Sequence, residues 1–207
     1  MEILSSFPWF EIYLSHKNDG NFRDWLISPE IIRPMCQIHK TNIHEITSEN
    51  KDIPFSEYDG IYTTVSDITI ASLCADCPVI ILMGSGECAT LHSGWRGTKE
   101  HIVDDWVKRF HTPREEMQVY IWPHIHADSY EVQSDFLIHF PRPYFRVSGE
   151  KIYFDIVQYI VDDLISLGIL ESNIIISHID TFFSFDHFSY RKSGMIWLGM
   201  VGVKMLP

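Results

Sequence analysis

Two stretches of the chain concentrate residues able to carry chemistry, Cys74-Ala-Asp-Cys77 and His92-Ser-Gly-Trp-Arg-Gly97. The first has the C-x-x-C spacing shared by redox thiols and zinc ribbons. A ribbon needs a second such pair, and the four cysteines supply none. A thioredoxin-like thiol opens a helix, where the helix N-terminus favours the thiolate. Here Pro78 and a β-branched run follow, so the segment reads on as strand. Cys74 then reads as a small buried apolar residue, and Cys77 becomes the cysteine of interest. The second stretch reads as a strand end, a Gly-bearing turn and a helix start. That arrangement offers backbone N–H groups and Arg96 to an anion; the bland alternative packs Trp95 and solvates Arg96. Gln37-Ile38-His39 reads as strand-like, and a lone imidazole there is more often core or surface than ligand. Asp59-Gly60 reads as a plain turn.

These residues need elements to hold them. Trp9–Leu14 reads as a strand followed by a polar turn over Ser15–Gly20. Ile68–Leu73 and Val79–Met83 are apolar, largely β-branched runs and read as buried strands around the Cys-Ala-Asp-Cys turn. Gly84-Ser85-Gly86 is a tight turn from which Ala89–His92 returns as a strand. Ile102, Val103, Trp106, Val107 and Phe110 recur at helical spacing, with Thr98 as the expected N-cap and Pro113 as the stop. Val119–Trp122 reads as a strand. A second helix is expected from about Phe154 to Leu167, with Gly168 as its left-handed C-terminal residue. Ile174–Ile176 and Ile196–Val203 complete the strands. Strands outnumber helices and two helices fall among them, so the expected class is α+β (mixed α/β). The expected architecture is one compact domain over residues 1–207, a central mixed sheet flanked by helices. No repeat, low-complexity tract or linker marks a boundary.

Composition narrows the function. Sixteen Lys and Arg against twenty-eight Asp and Glu give a formal charge of −12, which argues against a broad nucleic-acid surface. One or two placed arginines still suffice for a small anion. The first ten residues lack a basic n-region, and Gly194–Val203, the longest uncharged apolar run, is about half a membrane span. The expectation is a cytoplasmic protein with a small-molecule partner, no nucleic acid and no membrane.

Tyr-Asp-Gly-Ile-Tyr-Thr63, Ala-Asp-Cys77, His-Ser-Gly-Trp-Arg-Gly97 and Phe-Ser-Tyr-Arg191 resemble, in order, the signature segments of the YfiH-like family. That family is often labelled multi-copper polyphenol oxidase or laccase-domain protein. Gln-Ile-His39 is similar to its Gln-Val-His motif, and Tyr130-Glu131-Val132 and Tyr153–Gly168 fall where similar segments do. The resemblance runs from about residue 35 to the end. It implies one zinc ion bound by His39, Cys77 and His92. It also implies phosphorolysis of purine nucleosides, methylthioadenosine among them, and deamination of adenosine. Bacterial members have been linked to peptidoglycan editing. A family Asn-Arg motif upstream of the first His corresponds to Asn21-Phe22-Arg23, an imperfect match.

Two imidazoles and a thiolate are three zinc ligands, and a catalytic zinc keeps its fourth position open. Zinc lowers the pKa of a water it binds to near ~7, which suits attack on C6 of adenine. Phosphorolysis needs an oriented phosphate, for which Arg96, Arg191 and Arg23 are the available cations. Cys77 and His92 stand with Arg96 and Arg191 as the candidate catalytic residues. Two features depart from the family. Where a Cys-Cys pair is usual, Asp128-Ser129 stands within Trp122-Pro-His-Ile-His-Ala-Asp-Ser-Tyr-Glu-Val132, and the segment before His39 is abbreviated. His124 and His126 are extra imidazoles expected at the surface. Competing readings are a copper-dependent polyphenol oxidase, a Cys77–His92 hydrolase, a family member with little activity, and a protein with a purely structural zinc. Copper is less favoured than zinc, because phenol oxidation also needs a His-rich cluster and only His124 and His126 are spaced as His-x-His. Metal ligation also competes with the nucleophilic role of Cys77.

Overall fold

The computed structural model describes the backbone of residues 2–7 and all of residues 9–20, 31–32, 34, 36–194 and 198–207. The early strands are β1 (Glu2–Phe7), β2 (Phe10–Leu14), β3 (Ile31–Ile32), β4 (Ile43–Ile46), β5 (Gly60–Thr63) and β6 (Thr69–Cys74). A hairpin follows, β7 (Val79–Gly84) and β8 (Glu87–His92), then β9 (Gln118–Ile121), β10 (Glu131–Val132), β11 (Phe145–Ser148) and β12 (Lys151–Phe154). The last strands are β13 (Ile174–Ile176) and β14 (Gly199–Met205). The helices are α1 (Trp95–Lys99), α2 (Ile102–Val107), α3 (Ile156–Ser166) and α4 (Tyr190–Ser193).

The class is mixed α/β, with the strands among the described residues shared by three sheets. One has the order β1-β2-β14-β6-β3, a second β13-β9-β7-β8-β5-β4, and a small third β10-β12-β11. The alternation of β7 shows how the first two stack. Val79, Ile81 and Met83 join a core with Ile12, Ile70, Val201 and Val203 of the first sheet. Ile80 and Leu82, pointing the other way, join a core with Val103, Trp106, Val157 and Ile160 of the helices. A strand buried on both faces must be apolar throughout, which is why β7 reads as an unbroken hydrophobic run. The molecule is thus layered as sheet, sheet, helices.

One helix expectation holds and the other changes. Asp155 caps α3, its carboxylate accepting the Gln158 N–H at 3.0 Å, and Gly168 has the expected positive φ of 98°. The helix expected to open at Thr98 begins earlier, with Gly94 as its N-cap, and breaks at His101, whose φ is 58°. The Thr98 hydroxyl lies inside the first turn, donating to the carbonyls of Ser93 and Gly94 at 3.0 and 3.1 Å. The strand expected from Ile196 is seen from Gly199, Ile196 lying outside the described residues. Among the described residues, no helix is long and apolar enough to cross a membrane.

Candidate metal centre

Strand pairing brings two of the expected ligands together. Val79 pairs with His92 across the β7–β8 hairpin, so Cys77, two residues before β7, lies beside the end of β8. Cys77 sits on the crossing from β6 in one sheet to β7 in the other. That turn is sharp, with Asp76 at a φ of 85°, a conformation costly for a non-glycine residue. Three hydrogen bonds hold it. The Asp76 carboxylate accepts the Thr181 hydroxyl and the Arg191 backbone N–H, each at 2.7 Å, and its carbonyl accepts the Ile125 N–H at 2.9 Å.

His39 arrives from a different direction. Residues 36–40 form a loop, not the strand-like stretch expected, and His39 has a φ of 57°. Gln37 ties that loop to β6, its side chain exchanging two hydrogen bonds with the Leu73 backbone at 2.7 and 2.9 Å. Asp59, expected as part of a plain turn, is fully buried. Its carboxylate accepts the backbone N–H groups of Ile38, His39 and Lys40 and lies 3.0 Å from His92 Nδ1. Gly60 after it opens β5, which pairs with β8.

The ligand atoms of His39, Cys77 and His92 lie within 4.8 Å of one another, and the two imidazoles meet edge to face with ring centroids 4.8 Å apart. Gly94 leaves the space between them clear. A Cβ on it would fall 3.2 Å from Cys77 Sγ, 3.2 Å from His39 Cδ2 and 3.7 Å from His92 Cε1. Burial raises the Cys77 thiol, but positive charge on His92 and hydrogen bonds from both histidines outweigh it and bring the pKa down to about 6. Burial lowers His92, yet the Cys77 thiolate and Asp59 outweigh it and lift the pKa to about 9. The soft thiolate and two imidazoles fit zinc or copper by donor chemistry. They form a three-residue set, and among the described residues no fourth His, Cys or carboxylate joins it.

A cleft opens beside the thiol, lined by Asp76, Cys77, Trp95, Tyr130, Tyr190 and Arg191 among others. Arg191 is exposed; its guanidinium donates to the Glu131 carbonyl and lies 5.3 Å over the Tyr130 ring. Burial and the Cys77 thiolate push the Tyr130 phenol upward, so it stays protonated. Arg96 lies on the exposed face of Trp95, 4.2 Å above the ring, and is not part of the cleft wall. Helix α1 behind it has five residues. Arg23 lies outside the described residues. His124, expected at the surface, is buried and donates Nδ1–H to the Trp122 carbonyl at 2.7 Å; Ile125 is the residue that faces the cleft.

Sequence reasoning missed Asp59, Gly94 and Gln37. All three stand inside segments that carry the family resemblance, but residue type alone assigns no role to Gln37 or Gly94, and Asp-Gly is so common in turns that the signal of Asp59 is masked.

Known proteins place this geometry. The chain is 31% identical over 121 residues to an Aquifex aeolicus protein named purine nucleoside phosphorylase, covering 58% of each chain. It is 29% identical over 164 residues to a Campylobacter jejuni protein of the same name, covering 76% of this chain and 70% of that one. The matched segments span about half the length of the first two curated relatives. A solved Neisseria meningitidis structure superposes with a TM-score of 0.84 at 18% identity over 100% of both chains, a likeness of fold. The family model described as multi-copper polyphenol oxidoreductase laccase matches residues 16–203. That match takes in the hairpin, the buried Asp59, all three clustered ligands and the cleft, and the chain belongs to this family.

Proposed function

We propose that the chain is a zinc-dependent purine nucleoside phosphorylase. Adenosine deamination and methylthioadenosine phosphorolysis are further activities of the same site. The observation that carries this reading is the convergence of His39, Cys77 and His92 around the space Gly94 leaves clear, beside a cleft with aromatic walls and an arginine. The names of the relatives support the substrate class. A zinc ion held by these three residues would supply Lewis acidity at the cleft wall.

The remaining roles fall to the chain itself. Arg191 is the cleft cation, suited to a phosphate because a guanidinium matches two phosphate oxygens at once. Arg96, stacked on Trp95 at the rim, is the second candidate phosphate-binding cation. Trp95, Tyr130 and Tyr190 offer apolar faces for a purine. Phosphorolysis joins a phosphate oxygen to C1′ as the C1′–N9 bond breaks, and the departing base takes up a proton. The protonated Tyr130 phenol is one hydrogen-bond donor on that wall.

Zinc-loaded protein incubated with inosine and phosphate should yield hypoxanthine and ribose 1-phosphate, and adenosine without phosphate should yield inosine. Neither product appearing would refute the reading. The family description favours a second one, a copper-dependent oxidase. Among the described residues, the other group with metal-binding side chains is His101, Asp104 and Asp163, two carboxylates and one imidazole near the surface, unlike a His-rich copper cluster. Stoichiometric copper with an intense thiolate-to-metal absorption would establish the oxidase reading instead.

A further inference from the structure

The Asp59 carboxylate touches two of the three proposed ligands by separate routes. Its Oδ1 lies 3.0 Å from His92 Nδ1 and accepts the His39 N–H at 2.8 Å. Its Oδ2 accepts the N–H groups of Ile38 at 3.2 Å and Lys40 at 2.8 Å. Three backbone donors and an imidazole thus converge on one side chain that solvent does not reach. The backbone around it is tied in as well. Its own carbonyl accepts the His92 N–H, and its N–H donates to the Asn42 carbonyl, both at 2.7 Å.

An ionised carboxylate only accepts hydrogen bonds. Facing His92 Nδ1, it therefore selects the imidazole with its proton on Nδ1, and the lone pair is left on Nε2, the nitrogen turned away from Asp59. The same carboxylate gathers the three N–H groups of the turn that carries His39, a turn whose positive φ is unfavourable without such an anchor. We infer that Asp59 is the positioning residue of the metal centre, fixing the His92 tautomer and the His39 loop together, so that a residue that is not itself a ligand sets the affinity for the ion. This inference rests on the metal-binding reading of His39, Cys77 and His92.

Asp59→Asn tests it with almost no change of shape. An amide has one accepting atom where the carboxylate has two. If its oxygen faces Ile38 and Lys40, its NH2 meets His92 Nδ1 and favours the wrong tautomer. If it is flipped, the NH2 opposes two backbone donors. Zinc affinity, measured by competition with a chromophoric chelator, should fall about 10–100-fold, the usual effect of losing a carboxylate behind a ligating histidine. Circular dichroism should show the variant folded. Nitrogen-15 spectra of the zinc-loaded wild type should show His92 protonated at Nδ1 and metal-bound at Nε2. Zinc held equally by D59N and wild type would overturn the role of Asp59, whereas a wild type that holds no zinc would overturn the reading beneath it. If D59N does not fold, the wild-type spectrum decides, and a metal-bound Nδ1 on His92 overturns the inference.

Discussion

Replacing Gly94 with alanine adds one methyl group at the point where the three proposed ligands face one another. The backbone accepts it readily, since φ is −62° and ψ is 162°, values open to any L-residue. The obstacle is space. The new Cβ would lie 3.2 Å from Cys77 Sγ and from His39 Cδ2, so each neighbour must give by a few tenths of an ångström. Zinc sites tolerate ligand distances within only about 0.2 Å of their preferred values. Such crowding costs about 1–3 kcal/mol when forced into a packed site, which corresponds to roughly a 5–150-fold loss of metal affinity. Folding should change far less, because a glycine replaced at a compatible φ and ψ gains about 0.4–1 kcal/mol through the unfolded chain. The assay pairs chelator competition with thermal melts of the metal-free protein. Affinity should drop while the metal-free melting temperature stays within a few degrees of wild type. G94A binding zinc as tightly as wild type would refute the argument that Gly94 holds this space open.

Other perturbations follow from the same structure. On the phosphorylase reading, Arg191→Gln should raise the KM for phosphate with little change in the KM for nucleoside, and loss of a charge-assisted contact of about 1.5–3 kcal/mol gives a 10–150-fold fall in kcat/KM for phosphate. Equal effects on both substrates would count against a phosphate contact. Burial holds His124 neutral down to about pH 4, so the unfolded chain takes up that proton first and stability falls from about pH 6.5 to about pH 4. The gap between those values corresponds to about 3 kcal/mol, and denaturant titrations should show His124→Gln with a correspondingly flatter profile over that window. Glu87 is buried, and accepts from the Thr112 N–H and hydroxyl and the Tyr62 hydroxyl, each at 2.7 Å. Burial raises its pKa, but these hydrogen bonds outweigh that and lower it, so their contribution is present above the unfolded pKa and lost as pH falls through the folded one. Glu87→Gln should destabilise the protein by about 1.5–3 kcal/mol at pH 7, with the difference from wild type closing below about pH 4.

Much of the architecture is legible from apolar runs, because burial on two faces leaves little room for polar residues. β7 is read that way, and α3 from its five apolar positions and its glycine stop, whereas β8, which buries Glu87, Thr90 and His92, is read from the turn before it. Expectations fail where a residue's state is set from far away. The loop carrying His39 looks strand-like in isolation, yet its backbone donors turn inward to a carboxylate twenty residues on. Asp59-Gly60 has turn chemistry locally, and only pairing of β5 with β8 makes the aspartate an internal anion. His124 looks like a surface imidazole until Trp122 and the neighbouring Asp180 segment enclose it. The helix starts earlier than expected because Gly94, which closely faces Cys77 and His39, also serves as the cap. The Ala-Asp-Cys and His-Ser-Gly-Trp-Arg-Gly segments are readable as a site only through the family resemblance, and the hairpin between them shows why their ends meet.

The turn that carries Cys77 also places a condition on synthesis. The three clustered donors, His39, Cys77 and His92, all precede in the chain the residues that shape the Cys77 turn. The conformation that presents the thiol is held by Thr181 and the Arg191 backbone, more than a hundred residues later. A ribosome-bound chain halted before those positions has the donors without their geometry. On the metal-binding reading, a bound ion therefore reports a chain whose distant parts have already met.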